Sequence, residues 1–253
     1  MRRLAQFCLT LCFLSLAVWA DPICPIPSDS RQAIVILSSD WDTTAATMYR
    51  FERSSAEAAW KPIGAVVPVN LGRTGFAWGE SPLMNRETVA KLSGPHKREG
   101  DGKSPAGVFP ILKAFGHPKA PAGYKRENLP FLVVSDHQCV DDTKSEYYNS
   151  IVKPGDVGGV TWNSAEKMKI GLYKKGLVVG HNCPAAEPGL GSCIFFHLQS
   201  EPGAPTSGCT SMADGPLTNL LLWLKKDAKP VVLQLPKAEF DGQADPSWPK
   251  LGR

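Results

Sequence analysis

A mostly β domain, made of sandwich- or barrel-like sheets with a few short helices, is what this 253-residue chain predicts. Three observations point there. The apolar runs are short and end at turn residues, 23 glycines and 22 prolines punctuate them, and only two stretches show helical spacing.

In chain order, residues 1–20 read as a secretory leader. Arg2 and Arg3 precede an apolar run over 9–18, and Val18-Trp19-Ala20 offers a cleavage point after Ala20. The run falls short of the roughly 20 apolar residues of a membrane span, so membrane contact is expected only through this transient leader. The mature chain is expected to be secreted, with 21–236 forming one domain. Strands are predicted over 33–37, 65–69, 107–112, 131–134, 177–179 and 231–235, each rich in Val, Ile, Leu or Phe. A short helix is predicted over 163–168. A longer one carries Leu217, Leu220, Leu221 and Leu224 at i, i+3, i+4 and i+7, with Pro216 in its first turn and Lys225 and Lys226 after it. The polar tail 237–253 is expected to wrap the surface or fray.

Charge excludes one class of partner. Of 28 Lys and Arg, two leave with the leader, and 24 acidic residues balance the rest. A nucleic-acid binder would instead show a basic cluster. The mixed-sign segment 97–103 reads as a solvated loop, and the glycines of 70–75 and 155–159 lack a phosphate-loop lysine and spacing.

The cysteines are more informative. Cys8 and Cys12 belong to the leader, leaving Cys24, Cys139, Cys183, Cys193 and Cys209. In an oxidising compartment that number suggests two bridges and one free thiol. Cys209 is the candidate for the free one. It lies in Thr206-Ser207-Gly208-Cys209-Thr210-Ser211, twelve positions after His197, among small residues that keep sulfur reachable. A histidine that accepts the thiol proton produces the thiolate that attacks carbonyl carbon, so such a Cys209 is expected to alkylate quickly near neutral pH. Backbone N–H groups around Gly208 and Cys209, in the loop that includes Ser207 and Thr210, are candidate oxyanion donors. His181, Thr206 and Ser211 are candidates for lining a substrate groove, with an ordinary surface histidine as the plainer account of His181. Two alternatives stand beside catalysis. One is a zinc site at His181, Cys183, Cys193 and His197, which offers two N and two S ligands at an uncommon spacing. The other is a non-catalytic cell-wall-binding module with a vestigial or bridged thiol.

Taken together, Phe196-His197, Thr206-Ser207-Gly208-Cys209, the helix and strand that follow, and Gly102-Lys103-Ser104-Pro105-Ala106-Gly107-Val108-Phe109 resemble the L,D-transpeptidase catalytic domain, the YkuD-like family. The likeness is strongest over 171–236. It implies a catalytic domain over 21–236, Cys209 as nucleophile, His197 as base, peptidoglycan stem peptides as partners, a periplasmic location, and no metal or organic cofactor. With elimination, it also implies Cys139–Cys193 and Cys24–Cys183 as the bridges. The chain departs from the family's Ser/Thr-His-Gly-Cys pattern. Ser207 stands where the pattern has His, Ser211 stands where it has Arg or Asn, and Leu198 follows His197 where a small or polar residue is usual.

Overall fold

The computed structural model describes residues 24–84, 86–243 and 245–252. The leader expected over 1–20, with Cys8 and Cys12, lies outside the described residues. The chain forms strands β1 (Gln32–Ser38), β2 (Ala45–Glu52), β3 (Lys61–Pro62), β4 (Val67–Asn70) and β5 (Phe76–Trp78), then a one-turn helix α1 (Arg86–Val89). The long strand β6 (Ser104–Gly116) precedes β7 (Phe131–Val133), β8 (Gln138–Val140), β9 (Ile151–Val152), β10 (Ala165–Lys167), β11 (Lys175–Val179), β12 (Phe195–Leu198) and β13 (Thr210–Met212). Helix α2 (Asp214–Trp223), strand β14 (Val231–Pro236) and helix α3 (Lys237–Gln243) follow.

The main sheet runs β1–β14–β6–β11–β12–β13–β4–β2 and returns to β1, which pairs with both β14 and β2. It is therefore barrel-like. Its thinnest seam is β13 against β4, a single residue pair, Ser211 with Asn70. Every residue of β1 is buried, because the barrel interior covers one face and α3 lies against the strand. That explains the unbroken apolar run, where a one-sided strand would alternate. The interior is filled by Phe76, Phe109, Phe196, Ile34, Leu177 and Leu233, all essentially inaccessible.

A second sheet, β10–β8–β9, lies beside the barrel. Between the two, Phe115, Val134, Met168, Tyr173, Phe195 and Cys209 form a separate apolar cluster. The Cys139–Cys193 disulfide, implied by the family resemblance, ties β8 to the entry of β12 across 54 residues, with Cα atoms 6.0 Å apart. The Cys24–Cys183 bridge is not formed, and three thiols are free where one was expected. Cys24 is sealed in the core, its thiol 3.4 Å from the Met84 sulfur and its carbonyl bonded by the Trp248 indole. Cys183 lies in a different recess beside Asn149 and Ser150.

Two other expectations change. Residues 163–168 contain β10 and no helix, because β8 offers Ala165, Glu166 and Lys167 an antiparallel partner that local spacing does not reveal. In the 237–253 region, α3 packs on β1 and β14, and Phe240 stacks on Trp248 at 5.3 Å. Helix α2 buries Leu217, Leu220 and Leu221 against the barrel wall, with Leu224 buried just past its end.

Candidate active site

Strands β12 and β13 run parallel, with Phe196 opposite Thr210 and His197 opposite Ser211. Side chains alternate along a strand, so His197 and Ser211 share one face, and Phe195 and Cys209, each two residues earlier with Cys209 at the entry to β13, lie toward that face too. A bond between the adjacent chains confirms the placement: the Phe195 N–H donates to Cys209 Sγ at 3.2 Å. Cys209 is reduced. It and His197 both line a cleft of about 750 Å3, and each is less than a tenth exposed.

The turn before β13 is held by hydroxyl groups. Thr206 Oγ1 accepts the Gly208 N–H at 3.0 Å and donates to the Cys209 carbonyl at 2.6 Å. Ser104, at the head of β6, donates to the same carbonyl at 3.0 Å while accepting the Gly72 N–H. Gly208 adopts φ +146°, and a Cβ there would sit 3.0 Å from the Lys103 carbonyl, so the turn demands glycine on two counts. Residue 208 is thus pinned, and its N–H is occupied.

His197 Nδ1 lies 2.7 Å from the Leu198 carbonyl. A carbonyl only accepts, so Nδ1 carries the proton and Nε2 keeps its lone pair. The Tyr173 ring meets the imidazole edge-on at 5.3 Å. Burial lowers the His197 pKa. Burial also pushes the Cys209 thiol up; the nearby Glu166 charge adds to this, while the Phe195 N–H and Lys97 work against it. Both shifts favour the uncharged forms, so the resting pair is a neutral thiol and a neutral imidazole. The thiol donates to the Cys193 carbonyl at 3.4 Å, and among the described residues no hydrogen bond joins it to His197.

The opposite wall is acidic. Glu166 on β10 accepts the Tyr173 hydroxyl at 2.5 Å, and its pKa is raised mainly by burial. Asp141 lines the cleft with one carboxylate oxygen buried and unbonded among the described residues. Glu99 accepts from Tyr148 and Ser192 at 2.5 and 2.7 Å. Lys97, its side chain 4% exposed, pairs with Asp101 at 2.5 Å. The segment 97–103 is therefore part of the cleft lining, contrary to its reading as a solvated loop.

The structure gathers Thr206, Ser207, Gly208 and Ser211 around the cleft with Cys209 and His197. Thr210 contributes backbone only, because its side chain faces Gln234 inside the barrel. His181 is neither a groove residue nor a surface one. It is 2% exposed, packs against Phe109, and bonds the Leu190 carbonyl through Nε2. The zinc alternative fails on its donor set, since the Cys193 sulfur is consumed by the bridge to Cys139. Among the described residues no group of three His, Cys, Asp or Glu is placed to hold a metal ion. Sequence reasoning missed Lys97, Glu99, Ser104, Glu166 and Tyr173. Only the spacing of 104–109 pointed toward any of them.

The catalytic-domain model of the L,D-transpeptidases (YkuD) matches residues 39–233, spanning β2 through β13 and the first half of β14. No curated protein and no solved structure matches the chain.

Proposed function

The chain belongs to the L,D-transpeptidase catalytic-domain family, and from that premise we propose that it is an exported cysteine acyltransferase acting on peptidoglycan stem peptides. The observation that carries this is the shared face of β12 and β13, where a reduced Cys209 and a His197 with a fixed tautomer open into one cleft. Rotation of the Cys209 side chain away from the Cys193 carbonyl directs its proton to His197 Nε2. Sulfur then attacks the carbonyl carbon of the residue before a terminal D-amino acid. The Cys209 N–H serves as oxyanion donor, because that of Gly208 is engaged by Thr206. His197 returns the proton to the departing amine, leaving a thioester. An incoming amine or water resolves it, giving a cross-link or a trimmed stem. Export to the periplasm is supported by the leader expected over 1–20 and by the Cys139–Cys193 bridge, of a kind rare in reducing compartments.

A non-catalytic wall-binding module is the second reading. The raised thiol and the serines at 207 and 211 favour it. Intact-protein mass spectrometry after exposure to a carbapenem separates the two. The acyltransferase forms one covalent adduct, which Cys209→Ala abolishes while the protein stays folded. No adduct on the wild type, together with no release of D-amino acid from stem peptides, would leave the binding module standing.

A further inference from the structure

We propose that Glu166 is the substrate-docking residue for the acceptor, receiving the ammonium group of the amine that resolves the thioester. This rests on the acyl-transfer reading and adds to it a second subsite, on the wall facing the nucleophile.

Glu166 and Asp141 are the weakly compensated carboxylates of the cleft, and Glu166 is the one joined through Tyr173 to His197. The only hydrogen-bond donor to Glu166 among the described residues is the Tyr173 hydroxyl, which leaves Oε1 without one. No Lys or Arg pairs with it among the described residues. Of the cleft's cations, Lys97 is committed to Asp101, Arg73 lies on the opposite wall, where its backbone N–H bonds the Thr206 carbonyl, and Lys167, next to Glu166 on β10, is exposed and makes no ion pair with it among the described residues. Asp141, close enough to act on Glu166 electrostatically, adds negative charge with one oxygen unpartnered. A half-buried carboxylate without a counter-ion weakens the fold, and it is found where a ligand supplies the missing charge. Position narrows that ligand. Tyr173 touches both Glu166 and the His197 ring, and Glu166 acts on the Cys209 sulfur, so a group held there lies beside the reacting atoms. A donor carboxylate is repelled from this wall. The cation that the second half-reaction requires is the acceptor itself, which arrives as an ammonium.

The proton count closes. The docked ammonium gives one proton to Glu166, and the free amine attacks the thioester carbonyl. The second amine proton passes to His197, which hands it to Cys209 sulfur as the C–S bond breaks. An amide, a thiol and a neutral imidazole remain, and Glu166 releases its proton to water.

The test uses the full mature chain acylated by a stem tetrapeptide and resolved by two acceptors. Nα-acetyl-lysine amide carries one positive charge at pH 7, on its ε-ammonium, and hydroxylamine is neutral. With both acceptors added to the same pre-formed acyl-enzyme, Glu166→Gln is expected to raise the KM for Nα-acetyl-lysine amide by about tenfold or more relative to that for hydroxylamine. Glu166→Asp recovers part of the loss, and Tyr173→Phe, which removes the hydroxyl that positions the carboxylate, gives an intermediate rise. Equal effects on both acceptors, or a loss of acylation as large as the loss of aminolysis, would overturn the assignment. A wild type that never acylates removes the parent reading and this one with it. A wild type that acylates, with Glu166→Gln indifferent to acceptor charge, removes this one alone.

Discussion

Cys209 and His197 are held apart in charge by their own burial. A thiol in an ion pair with imidazolium reacts with alkylating agents at neutral pH, but here desolvation lifts the thiol above its ordinary value of 9.0 and holds the imidazole below 6.5. The fast neutral alkylation expected of an exposed catalytic thiol therefore does not follow. Iodoacetamide should label Cys209 slowly at pH 7, faster as pH rises through the alkaline range, and mass mapping of the adduct checks this. His197 must be uncharged to act as base. Its lowered pKa means that kcat/KM on a stem peptide should hold as pH falls through 6.5 and decline only at more acid pH. His197→Gln should reduce kcat by about 10² to 10⁴ with unchanged folding, as removal of a general base does.

Among the elements, the turn 206–209 is the part most exposed to test. Thr206→Val keeps the shape but strands the Gly208 N–H and removes one donor to the Cys209 carbonyl. It should cost about 1–3 kcal/mol of stability and lower kcat, with Thr206→Ser close to wild type; a denaturant melt and turnover measure both. The core strands were legible because a run such as 33–37 or 231–235 states its own burial. The neighbourhood of Cys209 and His197 in one cleft was legible because Gly-Cys-Thr after a histidine is chemically distinctive. Strand β2 went unread: only Ala46, Met48 and Phe51 of its eight residues are buried, too weak an alternation to register. Glu166 was hidden inside a stretch whose Ala165 and Met168 mimic helical spacing, and its partners Cys139, Tyr173 and Asp141 reach it only through folding. A wall assembled from distant strands leaves no local signature.

At the scale of the molecule, the small sheet is fastened to the barrel by one covalent link. Opening Cys139–Cys193, which spans 54 residues, should lower unfolding free energy by about 4 kcal/mol. A Cys139→Ala/Cys193→Ala variant compared with wild type under oxidising conditions measures it. Acid acts through His181, whose pKa burial lowers from 6.5 to about 4. The folded state therefore binds fewer protons than the unfolded chain, and stability is lost as pH falls from 6.5 toward 4. His181→Gln should flatten that slope in chemical denaturation run across the range. Strand β13, which follows Cys209, is zipped along β12 on one side and buttoned to β4 on the other by one residue pair and by the Asn70 side chain, which donates to Ser211 Oγ and Gln199 Oε1. Amides of 210–212 should accordingly exchange with deuterium sooner than those of β1, and sooner still when Asn70, the button, is replaced by alanine.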